Sequence, residues 1–269
     1  MRAVRSSEPL SAGNGHDPVS QYEFYATLDL DKPSCPDRTT VLLELLRDAV
    51  SMRGGVSRVL DLGCGEGFQA ALAREVVAPA TVLGVDWSAG ALRRAKGRRL
   101  SLVQAGVDGR DLPFPDGSFD VVIFSEVIEH LVDTDHAISE IRRILVDDGI
   151  LLISTPNLAA WFNRLLLLIG VQPLFSEVSR VRIFGRPGQQ VAGHLRIFTY
   201  RALREFLEAQ GVAIHAVRGA AYHQLPRPAR VIDRFMRRWP SAAAVLVVSA
   251  RKTPLAPRPK ADGGTLLGP

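Results

Sequence analysis

The chain has 269 residues, 46% of them hydrophobic and 23% charged, which is long enough for one α/β domain with insertions and a fully buried core. Its formal charge of +5 permits an acidic partner, although the arginine groups at Arg93, Arg94, Arg98 and Arg99 and at Arg227, Arg230, Arg234, Arg237 and Arg238 read first as solvated helix faces. The two cysteines, Cys35 and Cys64, lie far apart, so no disulfide framework is implied and a reducing cytoplasm fits.

Residues 1–20 lack an apolar core segment; they read as a disordered lead rather than a signal peptide. One domain over 21–252 and a disordered Pro- and Gly-rich tail over 253–269 follow. Val41, Leu42, Leu45, Leu46, Ala49 and Val50 recur at helical spacing, predicting a helix over 39–52 with Asp37 as its cap, lying over the ligand edge of the sheet. Apolar runs at 58–62, 81–85, 101–105, 119–124 and 149–154, separated by helical stretches, are the pattern of a mostly parallel sheet.

After Thr155, Pro156 and Asn157 the pattern breaks. Residues 158–171 are strongly apolar, but too short for a bilayer span, so they predict a core or interfacial helix. This helix is expected to form a lid, a homodimer surface or a peripheral membrane contact. Residues 175–192 are polar, basic and glycine-containing, a mobile loop by composition. An amphipathic helix over 199–210 ends at Gly211, and 212–217 and 244–250 supply two late strands. Asn157 has two readings, a substrate hydrogen bond or a cap for the next helix, whereas Trp161 and Phe162 read as core.

The stretch VLDLGCGEG, 59–67, organises the rest. A short aliphatic strand runs into Gly63, Gly65 and Gly67 and then a helix over 68–77, and a turn that tight calls for positive φ and lets a ligand lie on the backbone. Asp86 ends the next strand about 20 positions on, where an open α/β sheet holds a ribose. The G-x-G-x-G spacing lacks the last glycine of the dinucleotide fingerprint, so a pyrophosphate is not the natural guest and a nicotinamide dehydrogenase is disfavoured.

VLDLGCGEG, GVDWS and LPFPDGSFDVVIFSEVIEHL together resemble the class I S-adenosylmethionine-dependent methyltransferases, closely over 57–156 and more loosely beyond. The resemblance implies a Rossmann-like α/β fold, with a mostly parallel seven-stranded sheet flanked by helices and a helical insertion after strand five, about 157–195. It assigns Asp61, Gly63, Cys64 and Gly65 to the methionine end of S-adenosyl-L-methionine, Asp86 to the ribose, and Trp87 to the adenine face. Asp108 and Gly109 fall to the adenine edge, with Val107 standing where family members often have glycine, and Ser125 also lies on the cofactor side.

Glu126, Glu129 and His130 fall at i, i+3 and i+4, so a helical turn after strand four would point all three to one side. Two carboxylates and an imidazole suit a divalent cation, Mg²⁺ or Mn²⁺. The set resembles that of the ubiquinone-pathway O-methyltransferases and the small-RNA 2′-O-methyltransferases; by that likeness Glu126, Glu129, His130 and His194 are metal ligands. The competing reading makes His130 or His194 a metal-free general base. A metal has a chemical rationale, because an aliphatic hydroxyl with a pKa near that of water, about 15.7, is a poor nucleophile until it is acidified.

The expected activity is O-methylation of a hydroxyl on a small or lipid-linked molecule such as a sugar, a glycolipid or a quinone precursor. The alternatives are an RNA 2′-O-methyltransferase, for which arginines interleaved with aromatics are missing, and a non-catalytic cofactor-binding scaffold.

Overall fold

The structure, a computed structural model, describes residues 35–186 and 191–254. The expected disordered lead, and all but the first two residues of the expected tail, lie outside the described residues.

Seven strands form one sheet in the order β3-β2-β1-β4-β5-β7-β6. They are β1 Arg58–Leu62, β2 Thr81–Asp86, β3 Ser101–Gln104, β4 Phe119–Ser125, β5 Leu145–Pro156, β6 Val212–Ala220 and β7 Val245–Lys252. The first five pair in parallel, and β7 runs antiparallel to both β5 and β6. Among the described residues seven α-helices accompany them: α1 Pro36–Arg53, α2 Phe68–Val77, α3 Ala89–Ala95, α4 Thr134–Ile144, α5 Trp161–Leu168, α6 Tyr200–Ala209 and α7 Arg227–Met236.

The central strands are apolar at nearly every position because both faces of the sheet are covered. Successive side chains alternate between two cores: Leu60, Val122, Leu151 and Ile153 join Ile138, Ile141 and Leu203 on one face. Val59, Val121, Ile123, Ile150 and Leu152 join Leu42, Leu45, Leu46 and Ala70 on the other. A one-residue slip of β4 would exchange its two apolar sets, so the strand register and the helix faces specify each other.

Three elements differ from their sequence expectations. The first helix starts at Pro36, which suits a first-turn position, so Asp37 lies inside the helix instead of capping it. Its carboxylate accepts the backbone N–H of Ala221 and pairs with Arg237, and α1 packs over β5, β6 and β7, with Arg38 in its first turn reaching Glu126 just beyond β4. The apolar run after β5 is helical only over Trp161–Leu168, because Asn157 turns the chain first: its Oδ1 accepts from Ala159 N at 2.9 Å and its Nδ2 donates to the Ala243 carbonyl at 2.8 Å. Fully buried, Asn157 joins β5 to the segment before β7. The described part of 175–192 has no regular element, yet it is pinned, since Glu177 accepts from Ala192 N at 2.6 Å and Gly193 N at 2.7 Å and pairs with Arg186. No described helix is long and apolar enough to cross a membrane.

Candidate active site

The carboxyl ends of β1, β2 and β3 open onto a cavity of about 400 Å³ whose walls include Gly63, Asp86, Trp87, Gln104, Gly106, Asp108, Arg110, Val127 and Leu131. The glycine turn shapes its floor. Gly63 N and Cys64 N both donate to the Val85 carbonyl, at 2.7 and 2.9 Å, so the turn folds back over β2. Gly63 has φ +82°, and a Cβ there would lie 2.3 Å from Val127 Cγ2. A larger residue is excluded by backbone and neighbour together.

Asp86 is fixed by the turn it faces. Its Oδ2 accepts Gly65 N and its Oδ1 accepts Ser88 N, both at 2.8 Å, and burial raises its pKa. Two such bonds leave acceptor capacity on a carboxylate, which takes about four. Asp61, nearby and fully buried, has an Oδ2 with no protein partner; desolvation, then the charge of Asp86, pushes its pKa up to about 7. A buried carboxylate oxygen left open beside a ligand cavity fits an incoming cation or donor. The Cys64 thiol is pushed far above its ordinary pKa by burial and packs against Gly84, so it is not a thiolate nucleophile.

Beyond β4 lies a second group. Glu129, His130 and His194 each place one ligand-type atom within 4.8 Å of the others. A single 3₁₀ turn, Ile128–His130, carries the first two, and Leu195 N and Arg196 N both donate to the Glu129 carbonyl, bringing His194 alongside. His130 Nδ1 faces the Gly193 carbonyl at 3.3 Å and His194 Nδ1 faces the Phe175 carbonyl at 2.8 Å. A carbonyl only accepts, so each imidazole carries its proton on Nδ1 and keeps its lone pair on Nε2.

Burial and the neighbouring ring lower the His130 pKa to about 3, and burial lowers that of His194. Both are neutral at physiological pH. Glu129 Oε2 accepts the Thr155 hydroxyl at 3.1 Å while Oε1 has no protein partner, and burial, reinforced by Glu126, raises its pKa well above the ordinary carboxyl value.

Residues 60–153 match the family model for a methyltransferase domain. The chain carries a class I S-adenosylmethionine-dependent methyltransferase domain. Over 99 residues it is 40% identical to a Mycobacterium tuberculosis protein named "Probable S-adenosylmethionine-dependent methyltransferase", a match covering 37% of this chain and 35% of that protein. The matched stretch thus spans about a third of that relative's length. A longer match, 26% identical over 216 residues and covering 77% of this chain and 72% of the other, is to the 27-O-demethylrifamycin SV methyltransferase of Amycolatopsis mediterranei. The fold matches that of Burkholderia thailandensis 1,6-didemethyltoxoflavin-N1-methyltransferase, solved with S-adenosylhomocysteine bound, at a TM-score of 0.55, with 20% identity and coverage of 93% of this chain and 94% of that one.

Within the methyltransferase domain, the expected cofactor residues Gly63, Asp86, Trp87 and Asp108 line the cavity. Asp61 stands in β1 and Cys64 and Gly65 in the turn that follows it, and Ser125 shares a 2.8 Å hydroxyl contact with Ser154. Asp108 also anchors the chain after the 3₁₀ turn, accepting Val132 N and Asp133 N. Gly109, with φ +63°, follows it, and Val107 is buried in the core. Gln104, Gly106, Arg110 and Leu131 were not anticipated; Gln104 ends β3, where ligands of open parallel sheets gather, and that rule could have found it.

Glu126 departs from the expected four-ligand set. With φ +57° it stands outside the turn, so the i, i+3, i+4 geometry fails and its carboxylate goes to Arg38 at 2.9 Å and the Ser154 hydroxyl at 2.9 Å. Arg38 is the other residue that the sequence did not reveal; it comes from α1, far outside the motifs.

Proposed function

We propose that this methyltransferase domain moves the methyl group of S-adenosylmethionine to a hydroxyl on a small or lipid-linked acceptor. The supporting observation is adjacency: Val127 and Leu131, which wall the cofactor-sized cavity, flank the 3₁₀ turn that presents Glu129 and His130. In this reading Asp86 takes the ribose hydroxyls, Trp87 lies against adenine, Asp108 with Gly109 meets the adenine edge, and Asp61, Gly63, Cys64 and Gly65 receive the methionine end. Ser125 closes the cofactor side. The open oxygen of Asp61 fits an ammonium group, and a Cβ on Gly65 would enter open space, which is room for a ligand against the backbone. The rifamycin-type relative, by its name, methylates an oxygen; that likeness supports a hydroxyl acceptor here.

Glu129, His130 and His194 supply the donor set of a divalent cation, with Glu126 in an outer position held by Arg38. Two neutral imidazoles and one carboxylate match Mg²⁺ poorly, since that ion favours oxygen, and suit Mn²⁺ or another transition-metal dication better. Such an ion acidifies a hydroxyl and orients it; without one, an Nε2 lone pair of His130 or His194 is the group that would take the proton.

The test is transfer of labelled methyl from S-adenosylmethionine into cell extract separated into lipid, RNA and polar small-molecule fractions, with and without chelator. Label in lipids or small molecules supports the reading, and its loss with chelator supports the metal. Label confined to RNA, or cofactor binding with no transfer to any fraction, overturns it.

A further inference from the structure

The large apolar side chains Val231, Ile232 and Phe235 of α7 face away from the protein. From Arg227 to Trp239 the one buried residue is an acid, Asp233, whose Oδ1 accepts the Trp161 indole N–H at 2.9 Å and whose Oδ2 accepts Tyr222 N at 2.6 Å. These bonds hold the helix with its hydrophobic stripe outward. Val231, Ile232, Phe235 and Trp239 are 70%, 48%, 53% and 48% exposed, and their spacing puts them on one stripe. Arg227, Arg230, Arg234 and Arg238 recur beside it at three- and four-residue intervals, and the Arg238 guanidinium lies 5.2 Å from the Phe235 ring centre.

We propose that α7 is an in-plane docking helix for an anionic lipid surface. An apolar stripe carrying Phe and Trp, flanked by arginines and turned to solvent, is the pattern of a helix lying at the headgroup boundary. Its aromatics enter the acyl edge while the guanidinium groups meet lipid phosphates. A second copy fits less well, because two-fold pairing of this face brings two arginine stripes together and the only acid of the helix points inward. Nucleic acid would engage the arginines and leave Val231 and Ile232 in water.

The neighbouring α5 reinforces the surface. It is tied to α7 through Trp161 and to the following turn by Arg164 Nη2 donating to the Ser241 carbonyl at 2.7 Å, and it exposes Leu165 and Leu168. The inner side of α7 is linked to the histidine pair: Tyr222, whose N–H donates to Asp233, packs edge-on against Phe175 at 4.9 Å between ring centres, and Phe175 is 6.3 Å from His194. This inference goes beyond the methyl-transfer reading and does not depend on it.

The test is flotation of the full chain with vesicles of phosphatidylcholine alone or with about one-third phosphatidylglycerol. Binding to the anionic vesicles alone, weakened by salt, is expected. Arg234→Ala with Arg238→Ala should weaken it about 25-fold, taking about fivefold per arginine at the surface. Phe235→Ser with Trp239→Ser should weaken it at least about tenfold. Both variants should bind S-adenosylhomocysteine like the parent, which reports an intact fold. Independently of those variants, brominated lipid should quench tryptophan emission in the parent and not in Trp239→Phe. Equal binding to neutral vesicles, no flotation, a dimer dissolved by the Phe235/Trp239 pair, or RNA binding lost with the arginine pair would each overturn the proposal.

Discussion

Asp61→Asn tests the electrostatics of the glycine turn. The wild-type carboxyl has a pKa of about 7 against an ordinary 3.8, so in the empty protein its charged form is the unfavourable one. Below the ordinary value both folded and unfolded states hold the proton and there is no penalty. As pH rises from about 4 to 7 the unfolded chain releases it first, and stability falls. At about 1.4 kcal/mol per pH unit the full penalty above pH 7 is about 4 kcal/mol.

Asparagine removes the charge but puts an amide N–H where Oδ2 now has no partner, costing about 1–3 kcal/mol. The charge term wins, so Asp61→Asn should be about 1–3 kcal/mol more stable at pH 8 and should lose that advantage at pH 4. Urea unfolding at both values measures this. If Asp61 pairs with the ligand ammonium as proposed, the same variant should bind S-adenosylhomocysteine at least about tenfold more weakly. A pH-independent stability difference would refute the electrostatic account, and unchanged ligand affinity would remove Asp61 from the cofactor site.

Asp86→Ala should abolish measurable S-adenosylhomocysteine binding by calorimetry, because the proposed ribose acceptor and the bonds to Gly65 N and Ser88 N go together; unchanged affinity would exclude the ribose role. Gly63→Ala should destabilise the fold by about 2–4 kcal/mol, from positive φ and from overlap with Val127. Adding Val127→Ala should recover the overlap part in a melting experiment, and no recovery would show that Val127 is not what the new Cβ meets. His194→Ala should lose any divalent-ion stimulation of methyl transfer while keeping cofactor affinity, and an unaltered metal response would take His194 out of the ligand set.

The parallel half of the sheet was legible because its signal is local. An apolar strand ending in Gly63, Gly65 and Gly67, and another ending in Asp86, state both the elements and the edge where the cavity opens, and β1 has the expected limits. The pairing of His130 with His194 was legible only through family likeness, since 64 residues separate them and a chain reversal at Glu177 brings them together. Glu126 was misread because helical spacing presumes helical φ, and the residue sits in the left-handed region. Arg38 gave no signal: an arginine in an amphipathic helix looks the same whether it faces water or a half-buried carboxylate. The outward stripe of α7 was hidden in the same way, because helical spacing shows that one face is apolar and leaves open whether that face meets the sheet or the solvent.

The antiparallel placement of β7 has a practical consequence for anyone trimming this chain. The stretch recognised by likeness, 60–153, stops inside β5, whose far edge is bonded along seven residue pairs to β7. A fragment cut at those limits would keep the glycine turn and Asp86 but expose a long, flat, aliphatic strand edge, an invitation to aggregation. It would also discard His194, Arg38 and Tyr222. What sequence likeness picks out is a signature, whereas the described sheet and the helices covering it run from α1 to the end of β7.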